Sequence, residues 1–202
     1  MFNFETISEI FLDFLNNPSI IFKSEDRLSH LIRLNMETNQ KLWRLEDSAR
    51  MVELGPKHVA AVKQEIDKNN QIRNNLIKDI DTEIKNQIRV VPLNSRAQFY
   101  SESPGMIIDR LAILYIKISI IRDLLSVIKE TNLIGEYKEK EDIILGQINR
   151  IGDFLNSYLD KLGRKKAFFE IQQPVKIYND KRIKKYIKIL AHDKKDLPDV
   201  RS

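Results

Sequence analysis

The chain has 202 residues, 42% of them hydrophobic, a formal charge of +5 and no cysteine. That length supports one domain with a sizeable core, and the absence of thiols excludes a disulfide framework, a thiolate zinc site and a cysteine nucleophile. Six glycines and six prolines are few for this length, which favours long helices over a turn-rich β architecture.

In chain order, Ile7, Ile10, Phe11 and Phe14 predict a short helix over Glu5 to Leu15, stopped by Asn16-Asn17-Pro18. Ser24, followed by Glu25 and Asp26, is placed to cap a long second helix running to Leu54, with Gly55-Pro56 as terminator. A third helix over Lys57 to Ile88 carries Val59, Val62, Ile66, Ile77, Ile84 and Ile88 on one stripe. Ser103 and Pro104 open a fourth, apolar around nearly its whole circumference and therefore expected to be central. The fifth, Glu136 to Leu162, ends at Gly163, and its Gly146 and Gly152 are candidates for close helix contact. The expected fold is mainly α, an antiparallel bundle of about four long helices plus the short N-terminal helix, over residues 1–163.

Residues 164–202 form a basic C-terminal extension, with 12 Lys and Arg against 5 Asp and Glu. Phe168 to Ile171 and Val175 to Tyr178 read as short extended segments, and Ile183, Tyr186, Ile187 and Leu190 as the apolar edge of a basic amphipathic helix. Docking of that edge on the bundle is favoured over weak contact with a membrane surface. Nucleic acid is not an expected partner, since the body is slightly acidic and no recognition motif accompanies the tail. The start, Met1-Phe2-Asn3-Phe4-Glu5, lacks the basic region of a signal peptide. The most apolar stretch, Met106 to Ile128, is interrupted by five charges, so a cytoplasmic protein is expected.

Helical wheels place polar residues where a core should be. On the second helix, Asn35, Asn39, Glu46 and Arg50 share a face with Leu28, Ile32, Leu42 and Ala49, and Trp43 and Asp47 lie on its shoulder. On the third, Asn70 and Arg73 interrupt the stripe, with Lys63 and Asp81 at its border and Asp67 beside it. The fourth adds Asp109, followed by Arg110. Buried charges and amides must pair, meet water or hold a ligand. Arg73 has Glu46, Asp47 and Asp109 as candidate partners, and the first-turn N–H groups after Ser103 form a candidate anion site beside Gly105.

Three motifs stand in order: Leu42-Trp43-Arg44-Leu45-Glu46-Asp47-Ser48-Ala49-Arg50, then Ile66-Asp67-Lys68-Asn69-Asn70-Gln71-Ile72-Arg73, then Ser103-Pro104-Gly105 followed by Asp109-Arg110-Leu111-Ala112-Ile113-Leu114. Over roughly Phe11 to Ile121 the chain resembles a bacterial family of helical proteins known as a domain of unknown function, whose members accompany cell-envelope polysaccharide and glycosyltransferase genes. The resemblance implies no activity and falls on Trp43, Glu46, Asp47, Arg50, Asp67, Asn70, Arg73, Ser103, Pro104, Asp109 and Arg110. Together with Asn39, these residues (Pro104 apart) make up the expected ligand site.

Three functions fit. The first is binding of an anionic or sugar-containing metabolite, such as a phosphorylated or nucleotide sugar, with arginines facing charge and Asn39 and Asn70 reading hydroxyls. The second is a metal-dependent phosphohydrolase or transferase using Glu46, Asp47 and Asp109. The third is a noncatalytic interaction protein working through the tail. The sequence specifies no cofactor, and His30, His58 and His192 lack metal-ligand spacing.

Overall fold

Side-chain caps set where the helices begin. In the computed structural model, which describes residues 2–17, 26–88 and 96–171 together with 182, 183, 186 and 189, Asn3 accepts from the Thr6 N–H at 2.9 Å and starts α1 (Phe4–Asn16). Asp26 accepts from Leu28 and Ser29 at 3.0 and 3.1 Å and starts α2 (Arg27–Ala49); its bond from the Ser29 hydroxyl, above all, holds its carboxyl below the usual range. The cap is therefore Asp26, and Ser24 lies outside the described residues. Pro56 occupies the first turn of α3 (Pro56–Gln87), and Ser103 caps α4 (Pro104–Leu125) through the Met106 N–H. A longer α5 than the sequence predicts, Thr131–Gly163, completes the described helices.

The second helix is shorter than expected. Arg50 and Met51 donate to Asp47 and Ser48, three residues back, so the last turn tightens and passes into a 3₁₀ turn at Val52–Leu54. The ring of His58, on α3, lies 3.2 Å from the Ser48 carbonyl and 3.1 Å from its hydroxyl and closes that end. Gly55 then turns the chain at φ 86°, a conformation that favours glycine. At the end of α5 the left-handed position belongs to Lys165, φ 58°, rather than to Gly163.

Contacts between α2 and α3 run in opposite order along the two helices, from Ser48–His58 through Lys41–Glu65 to Arg27–Glu83, so the pair is antiparallel. The same holds for α4 and α5, joined by Arg122–Glu141 near one end and by the Tyr158 hydroxyl donating to the Glu102 carbonyl at the other. α4 is the central helix: Ile107, Ile108, Leu111, Ala112, Leu114, Tyr115, Ile116 and Ile118 are buried together with Ile7, Phe11, Ile32, Met36, Ile80 and Leu155 from the other four helices. Beyond Leu42, α2 and α3 alone build a small separate cluster of Leu42, Val62 and Ile66. The α1–α2 contact is held by Arg33, which pairs with Asp13 at 3.0 Å and donates to the Asn17 carbonyl.

This first unit, Met1–Ile171, continues past Gly163. Two-residue strands β1 (Gln98–Phe99) and β2 (Ala167–Phe168) pair in parallel, and Ala167 and Phe169 enter the core. The extended segment expected at Phe168 to Ile171 is thus one short strand ending at Phe168. Val175 to Tyr178 and most of the basic amphipathic segment lie outside the described residues. In the second unit, Gln172–Ser202, Tyr186 donates its N–H to the Ile183 carbonyl at 2.9 Å.

Where α4 begins, it meets α3 through backbone. A Cβ on Gly105 would stand 2.6 Å from the Ile77 carbonyl oxygen and 2.8 Å from Asp81 Oδ1, so only glycine fits. The buried Asp81 carboxylate accepts the Gly105 N–H at 2.7 Å and faces Ser103, occupying the positive end of the helix. Gly152 likewise lies against the Phe4 ring of α1, whereas Gly146 meets only Arg150 of its own helix and makes no close helix contact.

Gly105→Ala is expected to cost about 1–3 kcal/mol in urea denaturation because neither backbone nor carboxylate can yield freely. Gly146→Ala should be neutral or mildly stabilising. Burial pushes the Asp81 carboxyl above its ordinary 3.8, against the pull of Ser103 and Gly105. The folded state therefore holds this proton more tightly than the unfolded chain, a contribution to stability complete below the unfolded value and lost as pH rises through the folded one. The stability of Asp81→Asn relative to the parent should accordingly climb as pH is raised from about 3 to 7, measured by urea midpoints.

Candidate functional site

Three helices converge on one carboxylate. Asp109, buried one turn into α4, accepts from the Asn35 and Asn39 side-chain amides of α2 at 2.9 Å each, and Arg73 Nε of α3 lies 3.1 Å away. All three contacts fall on Oδ1. Asn39 also reaches the Asn35 carbonyl at 3.0 Å and its side-chain oxygen at 3.1 Å, which locks the two amides one turn apart on the same face. Arg73 Nε is closed off from solvent and misaligned for a hydrogen bond, so its contact with Asp109 is Coulombic rather than directional. Of the three partners the sequence offered Arg73, the structure selects Asp109.

Above this floor lies an open cleft of about 250 Å³ lined by Asn39, Leu42, Trp43, Glu46, Asp47, Arg50, Asn70, Arg73 and Ile113. It sits where α2 and α3 pass from the main core to their own small cluster. The motif on α2 supplies one wall, because Asn39, Trp43, Glu46 and Arg50 recur at three- and four-residue spacing. Asn70 and Arg73 supply the facing wall, and Ile113 joins from α4 one turn beyond Asp109. Trp43 is half-buried and packs against the main core.

The expected inward cluster is therefore two-layered. Asn35, Asn39 and Asp109 are buried, and Arg73 keeps 30% of its side chain exposed. Glu46, Asp47 and Arg50 are exposed and stand at the rim, because α2 is in its last turn there and has only α3 beside it. Asp47 and Arg50 face each other at 3.7 Å.

Three expected site residues lie elsewhere. Asp67 is exposed on α3, one step off the stripe formed by Val62, Ile66, Asn69 and Arg73. Ser103 is buried beside Asp81 at the head of α4, and the anion position suggested there is taken by that internal carboxylate. Arg110 points to solvent and pairs with Glu102, since the residue after an inward Asp109 must turn away on a helix. Glu46, Asp47 and Asp109 do not stand together as ligands: among the described residues no group of three or more His, Asp or Glu side chains could hold a metal ion. Asn35 was on the wheel yet outside the expected site, although its place one turn before Asn39 on the same stripe was the signal for it.

A family model described as a protein of unknown function, DUF4254, matches residues 29–171. The chain belongs to this family. The match includes every residue that lines the cleft and stops at the end of the first unit. No curated protein and no solved structure matches the chain. Among the described residues of this DUF4254 member, no helix is long and apolar enough to cross a membrane.

Asp109→Ala is expected to destabilise the fold by about 3–5 kcal/mol, because it strands a buried guanidinium nitrogen and two amides. Arg73→Leu in that background should restore part of the loss, and a double-mutant cycle of urea midpoints measures the coupling.

Proposed function

We propose that this protein is a binding protein for a small anionic or sugar-containing metabolite, held in the cleft between α2, α3 and α4. The reading extends the family resemblance to a role in cytoplasmic cell-envelope polysaccharide metabolism. Its main support is the Asp109 floor: two amides and a guanidinium from separate helices are fixed before any ligand arrives, directly beneath an open, polar cleft. Such preorganisation lowers the ordering cost of binding. A purely structural ion pair would be equally stable under an apolar cover, yet this one lies below an indole, an amide, two carboxylates and a second guanidinium that remain reachable. Convergent polar groups beside an aromatic wall are the usual makeup of a small-molecule site.

The chemistry on offer is recognition. Asn70 and Asn39 can both donate and accept, Arg50 and Arg73 donate, and Glu46 and Asp47 accept from hydroxyls. Thermal-shift measurements against sugars, sugar phosphates and nucleotides test the proposal. At least one class should raise Tm by several degrees at saturating concentration, and the rise should vanish in Asn70→Ala, whose partly exposed side chain leaves the fold intact. A broad panel with no shift, or a shift unchanged by Asn70→Ala, refutes the cleft as a ligand site.

A further inference from the structure

Resting on that reading, we infer that the cleft takes a single uncharged sugar ring, stacked on Trp43 and hydrogen-bonded through its hydroxyls, and not a phosphate.

Charge decides between the two. The cleft and its floor hold Arg50 and Arg73 against Glu46, Asp47 and Asp109, a net charge of −1 if all are ionised. Both cations already face carboxylates, Arg73 to Asp109 at 3.1 Å and Arg50 to Asp47 at 3.7 Å, while Glu46 stands outside both pairs. A phosphate would compete with these internal anions for each guanidinium and would enter the field of Glu46 as well. Phosphate sites have the opposite balance, with cations or helix N-termini free to receive the anion. The N-terminus of α4, the helix that carries Asp109, is itself occupied by Asp81.

Hydroxyl groups meet no such conflict. An ionised carboxylate is an acceptor with several lone pairs, and it bonds a neutral hydroxyl more strongly than an uncharged acceptor does. Glu46 and Asp47 can accept from ring hydroxyls, the terminal nitrogens of Arg50 and Arg73 can donate to ring oxygens, and the amides of Asn39 and Asn70 do either. One face of a pyranose is largely C–H, which suits the apolar face of an indole. Trp43 is seated firmly enough for this role, being packed against the main core on its inner side.

Size agrees. At about 250 Å³ the cleft falls below the roughly 300–1,000 Å³ of pockets that enclose drug-sized ligands. One ring fits such a space, whereas a nucleoside diphosphate would lie mostly outside it.

Trp43 is the only tryptophan of the chain, so its emission reports on this cleft alone. The full-length protein would be titrated with glucose, galactose, mannose and N-acetylglucosamine, with the 1-phosphate of each, and with inorganic phosphate. At least one neutral sugar should shift or quench the emission with affinity equal to or tighter than its 1-phosphate, and inorganic phosphate should leave it unchanged. Exposed Glu46 can be replaced without disturbing the core: Glu46→Gln should weaken the neutral sugar about fivefold by turning a charged acceptor into a neutral one. The same change should tighten whatever residual phosphate binding exists. If the phosphorylated forms or phosphate alone bind tenfold tighter than every neutral sugar, the inference is overturned while the cleft remains a ligand site. If neither series moves the Trp43 emission, the inference falls, and the proposed function falls with it only when the wider thermal-shift panel is also without effect.

Discussion

A carboxylate cannot be buried alone, and the placement of α2, α3 and α4 follows from how Asp109 is compensated. An isolated buried charge costs several kcal/mol, a cost that two amide donors and a facing guanidinium offset. Asn35 and Asn39 come from one helix and Arg73 from another, so satisfying Asp109 fixes the rotation of all three helices about their axes. Apolar packing among isoleucines and leucines is non-directional and tolerates rotation; the Asp109 contacts do not. The aliphatic core supplies most of the stabilisation, and the polar hub supplies the register.

A second carboxylate performs a related task about two turns from Arg73 along α3. Asp81 receives the head of α4 through the Gly105 N–H, where the absence of a Cβ brings the α4 backbone onto the Ile77 carbonyl. The Ser-Pro-Gly motif therefore combines a capping hydroxyl, a residue that needs no N–H partner and a residue with no side chain, each suited to close helix approach. Its role is to anchor α4, which in turn sets the depth of Asp109. The cleft inherits its geometry from this anchor without contacting it.

Much of this was legible in the sequence for a definite reason. Helical periodicity maps faces well, so Asn39, Trp43, Asn70, Arg73 and Asp109 could be assigned to inward-facing stripes, and the cleft or its floor contains all five. Periodicity says nothing, however, about how far a partner helix extends. Glu46 and Arg50 continue the α2 stripe but lie where no third helix covers it, and so are exposed. The occupant of the α4 N-terminus was equally out of reach, because it depends on which α3 carboxylate comes opposite Gly105 once the helices pair. Likewise, the end of α2 was placed five residues late, since the His58 side chain that closes it belongs to the next helix.

The small parallel bridge between β1 and β2 also constrains the site. Gln98 bonds to the Lys166 carbonyl and Tyr100 to that of Phe168, each at 2.9 Å, so the chain leaves for α4 and returns from α5 at the same point. The helix that carries Asp109 is thereby enclosed in a loop clamped at its neck. The last turn of α2, at the far lip of the cleft, lies outside that clamped loop, so the floor and the lip are held by separate sets of contacts.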